Sequence, residues 1–157
     1  MIETFAALLF AHALADFVLQ SRWVAANKAK PLAMLIHIST VLLTAALATG
    51  SANPVLLGLA AAHMAIDLGK LLATRALPGR HGLALFLTDQ ALHLASLMAF
   101  AWLVPDIWAA GHYHTLTQLP AMMTVVSGLI IATRAGGFAV GILMEPWSEA
   151  SPHGLPN

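Results

Sequence analysis

The chain contains no cysteine. Disulfides, thiolate metal sites and a cysteine nucleophile are therefore excluded. Charge is almost as scarce: Asp, Glu, Lys and Arg make up 9% of the 157 residues, against about 25% in soluble domains. So few charges do not cover a surface that faces water on every side. The seven basic and seven acidic residues cancel, which leaves no basic patch for nucleic acid and excludes it as a partner. Neither a repeat nor a low-complexity segment is present.

What fills the chain instead is apolar: 59% of residues are hydrophobic and the mean hydropathy is +0.81. A membrane-spanning helix needs about 20 mostly apolar residues. Five segments qualify, at 4–20, 32–48, 55–73, 83–104 and 121–143. They are separated by Arg22 to Pro31, by the turn Gly50-Ser51-Ala52-Asn53-Pro54, by Arg75 to Arg80, and by a longer outer loop, 105–120. The fold class expected is all-α, a polytopic bundle of five transmembrane helices, as one domain over 1–147 with a polar tail at 148–157. Glu145-Pro146-Trp147 is expected to end the fifth helix. The N-terminal run has no basic region before it and carries His12 and Asp16, so it reads as a retained helix and not as a signal peptide.

Arg22, Lys28 and Lys30 lie in the first loop and Arg75 and Arg80 in the third; the second and fourth loops have no Lys or Arg. Basic loops stay in the cytoplasm, so the N-terminus is expected outside and the C-terminus inside. Trp23, Trp102, Trp108 and Trp147 fall near the expected interfaces, as aromatic-belt residues do.

Against this background the polar residues inside the spans stand out. Eight histidines accompany only fourteen formal charges. Helix one carries His12, Asp16 and Gln20; helix two His37; helix three His63, Asp67 and Lys70; helix four Asp89, Gln90 and His93; helix five Arg134. A charge at the bilayer centre costs roughly 2.5–3.5 kcal/mol even on the lenient insertion scale, so these groups must face one another. His12 and Asp16, His63 and Asp67, and Asp89 and His93 are each four apart, which puts both members of a pair on one helix face. Depth agrees. His12 is nine residues from Ser21, His63 twelve from Arg75, and His93 twelve from His81. The order reverses in helix four, as its opposite direction requires. Each carboxylate therefore lies nearer the cytoplasm and each imidazole nearer the midplane. His37, six residues in from Pro31, joins the carboxylate layer.

Imidazole and carboxylate are ligands for a divalent metal, zinc foremost. Such an ion offsets buried negative charge and activates water at neutral pH. His12, Asp16, His63, Asp67, Asp89 and His93 are the candidate ligands. Asp16, Asp67, Asp89 and His37 are candidates for base and ligand-orienting roles. Lys70 and Arg134 are candidates for binding phosphate or developing negative charge. The plain alternative is that each aspartate pairs with a histidine, Lys70 or Arg134 and merely holds helices together. One pair favours that alternative; three aligned pairs plus His37 favour a site.

The remaining features are weaker. Arg134 is expected to face an aspartate. Gly137 and Gly141 form a GxxxG pattern that serves close helix packing. Gln20 and Gln90 are expected to complete hydrogen bonds around the cluster. His81, His112, His114 and His153 are expected to be solvated, and Met34, Met64, Met98, Met122 and Met123 to fill the packing.

The segments His12-Ala13-Leu14-Ala15-Asp16-Phe17-Val18-Leu19-Gln20 and Asp89-Gln90-Ala91-Leu92-His93 resemble a bacterial inner-membrane family of unknown function, with an HxxxDFxxQ opening and a DQxxH motif. The resemblance covers roughly 5–94 and takes in His37 and His63-Met64-Ala65-Ile66-Asp67-Leu68-Gly69-Lys70; the helix-five region matches loosely. It implies a location in the bacterial inner membrane and strengthens the site list without naming a reaction. A remoter similarity is to membrane-bound metal-dependent hydrolases, which also place HxxxD-type motifs in short hydrophobic helices. Three functions share these residues. The first is a metal-dependent hydrolase acting on a lipid or lipid-linked substrate. The second is a transporter or channel for metal ions or protons, built by a homodimer if five helices are too few. The third is a haem-binding or structural subunit of a larger membrane complex.

Overall fold

The computed structural model describes residues 1–77 and 82–149. The expectations placed on Pro78, Gly79, Arg80 and His81, on the side chain of Trp147, and on the tail beyond Glu149, His153 included, lie outside the described residues.

All regular elements in the described residues are helical. Helix α1 (Ile2–Leu14) runs on as a π-helical turn (Ala15–Leu19). A short α2 (Arg22–Ala26) follows, then α3 (Pro31–Thr49), α4 (Val55–Ala76) and α5 (Gly82–Leu103). A 3-10 turn (Pro105–Ile107) leads into the long loop before α6. The last helix is α6 (Leu119–Ile130), a second π turn (Ile131–Ala135) and α7 (Gly136–Glu149). Among the described residues, five stretches are long and apolar enough to cross a membrane: Ile2–Leu19, Pro31–Thr49, Val55–Ala76, Gly82–Leu103 and Leu119–Glu145. These match the five expected segments. The last helix continues past the Glu145-Pro146-Trp147 stop to Glu149.

The surface is what a bilayer requires. Trp102 is 71% exposed, Val125 64% and Leu72 63%; in water such a surface would aggregate. Backbone hydrogen bonds close within each helix, and hydroxyls inside the spans bond back to a carbonyl four residues earlier, as Thr44 does to Thr40 and Ser127 to Met123.

Helix α1 is the hub and packs against α3, α5 and α6. It can do so because alanines make up most of its buried face: Ala6, Ala7, Ala11 and Ala13 beside Thr4, Leu8 and His12. Small residues let backbones approach closely where lipid provides no hydrophobic drive between helices. Helix α4 packs against α3 and α5, so the polar faces of α1, α3, α4 and α5 meet at one place.

The end of the bundle where α3 stops is locked by the 105–118 loop. Gly50 caps α3 with φ +62°, a conformation that costs other residues energy. A Cβ there would meet His112 N at 2.9 Å, and one on Gly111 would meet Thr49 O at 2.0 Å. His112 donates from its backbone N (2.9 Å) and its ring Nδ1 (2.7 Å) to Gly50 O. His112 and His114 are exposed, as expected, and anchor the loop. Trp108 departs from expectation: it is buried in the core beside Leu8, Ile107 and Met123 rather than at an interface. Thr4 holds this corner through Oγ1, which donates to Pro105 O at 2.6 Å.

Candidate metal centre

The i, i+4 pairs bring their side chains to one buried cluster. His12, His37, His63, Asp67, Asp89 and His93 are all buried, and the Asp16 side chain is 7% exposed. The four imidazoles lie against one another. Ring centroids are 4.1 Å apart for His63 and His93, 5.0 Å for His12 and His93, and 5.1 Å for His37 and His63.

Four donor atoms converge most tightly. His37 Nε2 lies 3.1 Å from His63 Nε2, 3.2 Å from Asp67 Oδ2 and 3.7 Å from Asp16 Oδ1. His63 Nε2 lies 3.4 Å from Asp16 Oδ1 and 3.8 Å from Asp67 Oδ2. His12 Nδ1 stands beside them, 3.8 Å from Asp16 Oδ1. Bonds of about 2.0–2.1 Å to a tetrahedral zinc place neighbouring donors about 3.3–3.4 Å apart. The five separations straddle that value.

The carboxylates carry their own counter-ions. Lys28 Nζ donates to both oxygens of Asp67, at 2.9 and 2.8 Å. Lys70 Nζ donates to Asp89 Oδ2 at 2.9 Å, and Gln90 Nε2 donates to the same atom at 2.9 Å. Two of the three carboxylates, Asp67 and Asp89, are thus the ones that the lysines reach. Among the described residues no lysine bonds Asp16; imidazoles surround it.

Gln20 Nε2 donates to His37 Nδ1 at 3.1 Å. With that amide orientation the His37 proton sits on Nε2, facing Asp67. Turning the amide over would set Oε1 against an Nδ1–H and free the Nε2 lone pair. His93 is already in that state: its Nδ1 donates to the Asp89 carbonyl at 2.9 Å, which leaves a lone pair on Nε2. Four buried polar atoms have no hydrogen-bond partner among the described residues: His12 Nδ1, Asp16 Oδ1, Asp89 Oδ1 and His93 Nε2. All four belong to this cluster. Buried polar groups are nearly always satisfied, so the concentration of exceptions points to a ligand.

Two features escaped the sequence reading. Lys28 was placed only in a polar loop. The Ser21 cap of α2, which accepts from Val24 N at 3.2 Å, and the turn at Asn27, whose carbonyl accepts from Lys30 N at 2.7 Å, turn the chain so that Lys28 reaches back to Asp67. No periodic signal marks such a residue. The π turns were also missed. One carries Asp16, the other Arg134, and the two pack together, with Phe17 and Phe138 6.5 Å apart. Such bulges concentrate at functional sites. The second one corrects the expectation for Arg134. It turns Ala135 inward and Arg134 outward, so Arg134 is exposed and joins no aspartate among the described residues. Arg134 instead borders a cleft with Thr133, Gly137, Gly141 and Glu145.

Five apolar helices closed around a buried His/Asp cluster define a polytopic helical membrane protein with donor groups suited to a metal ion. The comparison with family models makes this specific. Residues 4–117 match the family described as "Protein of unknown function (DUF3307)", and the chain belongs to that family. The match agrees with the motif resemblance and likewise leaves out the last transmembrane helix. Neither a curated protein nor a solved structure matches the chain.

Proposed function

We propose that this protein is a metalloenzyme of the bacterial inner membrane. In this reading Asp16, His37, His63 and Asp67 hold a divalent ion, zinc by donor type, and the ion serves hydrolysis of a lipid or lipid-linked substrate. The observation that carries the reading is the approach of the His37 and His63 Nε2 atoms to each other and to one oxygen of each of Asp16 and Asp67, at 3.1 to 3.8 Å. Charge supports it. Two lysines face three buried carboxylates, and the uncompensated one, Asp16, is a donor of the set. An unpaired buried charge is costly. A divalent ion removes that cost, and a proton shared among the imidazoles would do the same; metal content separates the two.

A lipid substrate is supported by a cavity of about 350 Å³ lined by Leu9, Phe17, Leu87, Leu94 and Ile131, among others, with His12 and Gln90 as its polar residues. It lies within the spans, between α1, α5 and the last helix, so an acyl chain would have its head beside the cluster. Lys70, 35% exposed, and Arg134 would meet an anionic headgroup. The rival functions fit less well. A cation conduit would have to displace the Lys28 and Lys70 ammonium groups. A porphyrin would not fit among imidazoles whose ring centroids are 4.1 to 5.6 Å apart.

Elemental analysis after mild-detergent purification tests the reading. The intact protein is expected to carry bound divalent metal that His63→Ala loses, and lipid hydrolysis is expected to stop on chelation. A folded protein with no metal, or hydrolysis indifferent to chelators, refutes it.

A further inference from the structure

Beside the four-donor set, Asp89 and His93 have no task in it and share one of its members, Asp67. Asp67, Asp89 and His93 offer ligand atoms that all lie within 4.8 Å of one another. His93 is 1% exposed and Asp89 4%. The two side chains are prepared in the same way. His93 has its Nδ1 proton bound to the Asp89 carbonyl and its Nε2 bare. Asp89 has Oδ2 saturated by Lys70 and Gln90 and its Oδ1 bare. In each case one atom is anchored and the other is a buried acceptor with no partner among the described residues. Anchoring of the far atom is how proteins orient metal ligands.

We infer that Asp67, Asp89 and His93 hold a second divalent ion, with the Asp67 carboxylate bridging it to the first, so that the centre is binuclear. The inference rests on the metal reading of Asp16, His37, His63 and Asp67. Donors on one ion with bonds of about 2.0–2.1 Å stand about 3.4 Å apart as neighbours and at most about 4.2 Å across it. The trio therefore has to close by no more than about 0.6 to 1.4 Å, within the reach of side-chain torsions. The Asp67 carboxylate has two oxygens and four lone-pair positions, enough to bridge two ions even while Lys28 remains near. Paired ions lie about 3.5–4 Å apart and clamp the attacking and leaving oxygens of a phosphoryl group. Charge points to the same substrate class. Three carboxylates and two lysines leave the cluster at −1, and two divalent ions bring it to +3. An anionic phosphate ester offsets that, whereas a neutral carboxylic ester does not. The class of substrate is therefore a membrane-anchored phosphate ester.

The test is the number of ions per chain. Detergent-purified protein is dialysed against Mn²⁺, the ions are counted by elemental mass spectrometry, and their magnetic coupling is read by electron paramagnetic resonance. The intact chain is expected to hold two coupled ions. His93→Ala and Asp89→Asn, each checked for helix content, are expected to hold one, with the spectrum of an isolated ion. One ion in the intact chain and in both variants overturns the second site and leaves the first standing. Two ions without coupling overturn the shared Asp67. No ion in the intact chain overturns both readings.

Discussion

Replacing Lys28 by methionine isolates the electrostatics of the cluster. Lys28 is 16% exposed and Asp67 2%, and the ammonium group donates to both carboxylate oxygens. Methionine keeps most of the stem and removes the charge, which leaves Asp67 buried and unpaired. Breaking a buried pair in this way costs about 3–5 kcal/mol. The residual exposure of Lys28 and the neighbouring His37 place the expected loss near the bottom of that range, about 3 kcal/mol. For a chain of this size that corresponds to a fall of about 6–12 °C in Tm, measurable by circular dichroism in detergent. Two controls make the argument specific. Lys28→Met combined with Asp67→Asn removes both charges and should recover most of the loss, because the penalty is the unpaired carboxylate and not the missing lysine. Zinc should also restore Lys28→Met more than it stabilises the intact protein, since the ion no longer competes with an ammonium group for Asp67; at about 100 times the Kd the gain is about 2.7 kcal/mol. A Lys28→Met protein that melts within about 1 °C of the intact one, with or without zinc, would refute the reasoning.

Further expectations follow from the same geometry. Gln20→Ala removes the group that orients His37 and should weaken metal affinity by about 10–100-fold with little change in Tm, read by competition with a chromogenic chelator. Gly50→Ala forces a side chain into a left-handed position already occupied by the outer loop and should cost at least about 1–2 kcal/mol, again read as Tm. Ala139→Phe should fill the apolar cavity beside His12, abolishing lipid hydrolysis while the bound metal remains; unchanged turnover would remove that cavity from the substrate path. Because the chain has no cysteine, single cysteines at Ser51 and Arg75 report topology directly. An impermeant thiol reagent added to intact cells should label Ser51→Cys and spare Arg75→Cys, and the opposite pattern would invert the orientation read from the basic loops.

The spans were legible because composition alone forces them: runs this apolar and this poor in charge have no other stable solution in a bilayer. The cluster was legible because i, i+4 spacing and reversed order in antiparallel helices constrain both face and depth. His12 with Asp16, His63 with Asp67 and Asp89 with His93 meet as that logic requires. What stayed hidden depends on one-residue changes of register or on loop conformation. A π turn adds a residue without altering composition, so the depth of Arg134 in its span does not reveal that it points outward. Lys28 reaches Asp67 through the turn after α2, and the identity of the intervening residues does not encode that direction. Trp108 looked like an interface residue by its position in a loop. Its burial depends on how the outer loop folds over the α1 and α3 ends, which rests on Thr4, Gly50 and Gly111 acting together.

The arrangement of satisfied and unsatisfied atoms argues against a purely structural role for the cluster. A polar network kept for helix association would pair its members fully, since each buried group left without a partner costs about 1–3 kcal/mol. The lysines here could have been matched by two aspartates, and a third would then be pure expense. Instead, among the described residues, the protein leaves Asp16 Oδ1 without a hydrogen-bond partner and holds His93 and Asp89 by one atom each, with the other atom bare. Substituting the cluster wholesale separates the two accounts. If its only task is to hold helices, His12→Leu, Asp16→Leu and His63→Leu together should leave the bundle as stable or more so, with no function lost. If it is built for a ligand, the same triple variant should keep its fold, with an equal or raised Tm, and lose metal and activity together.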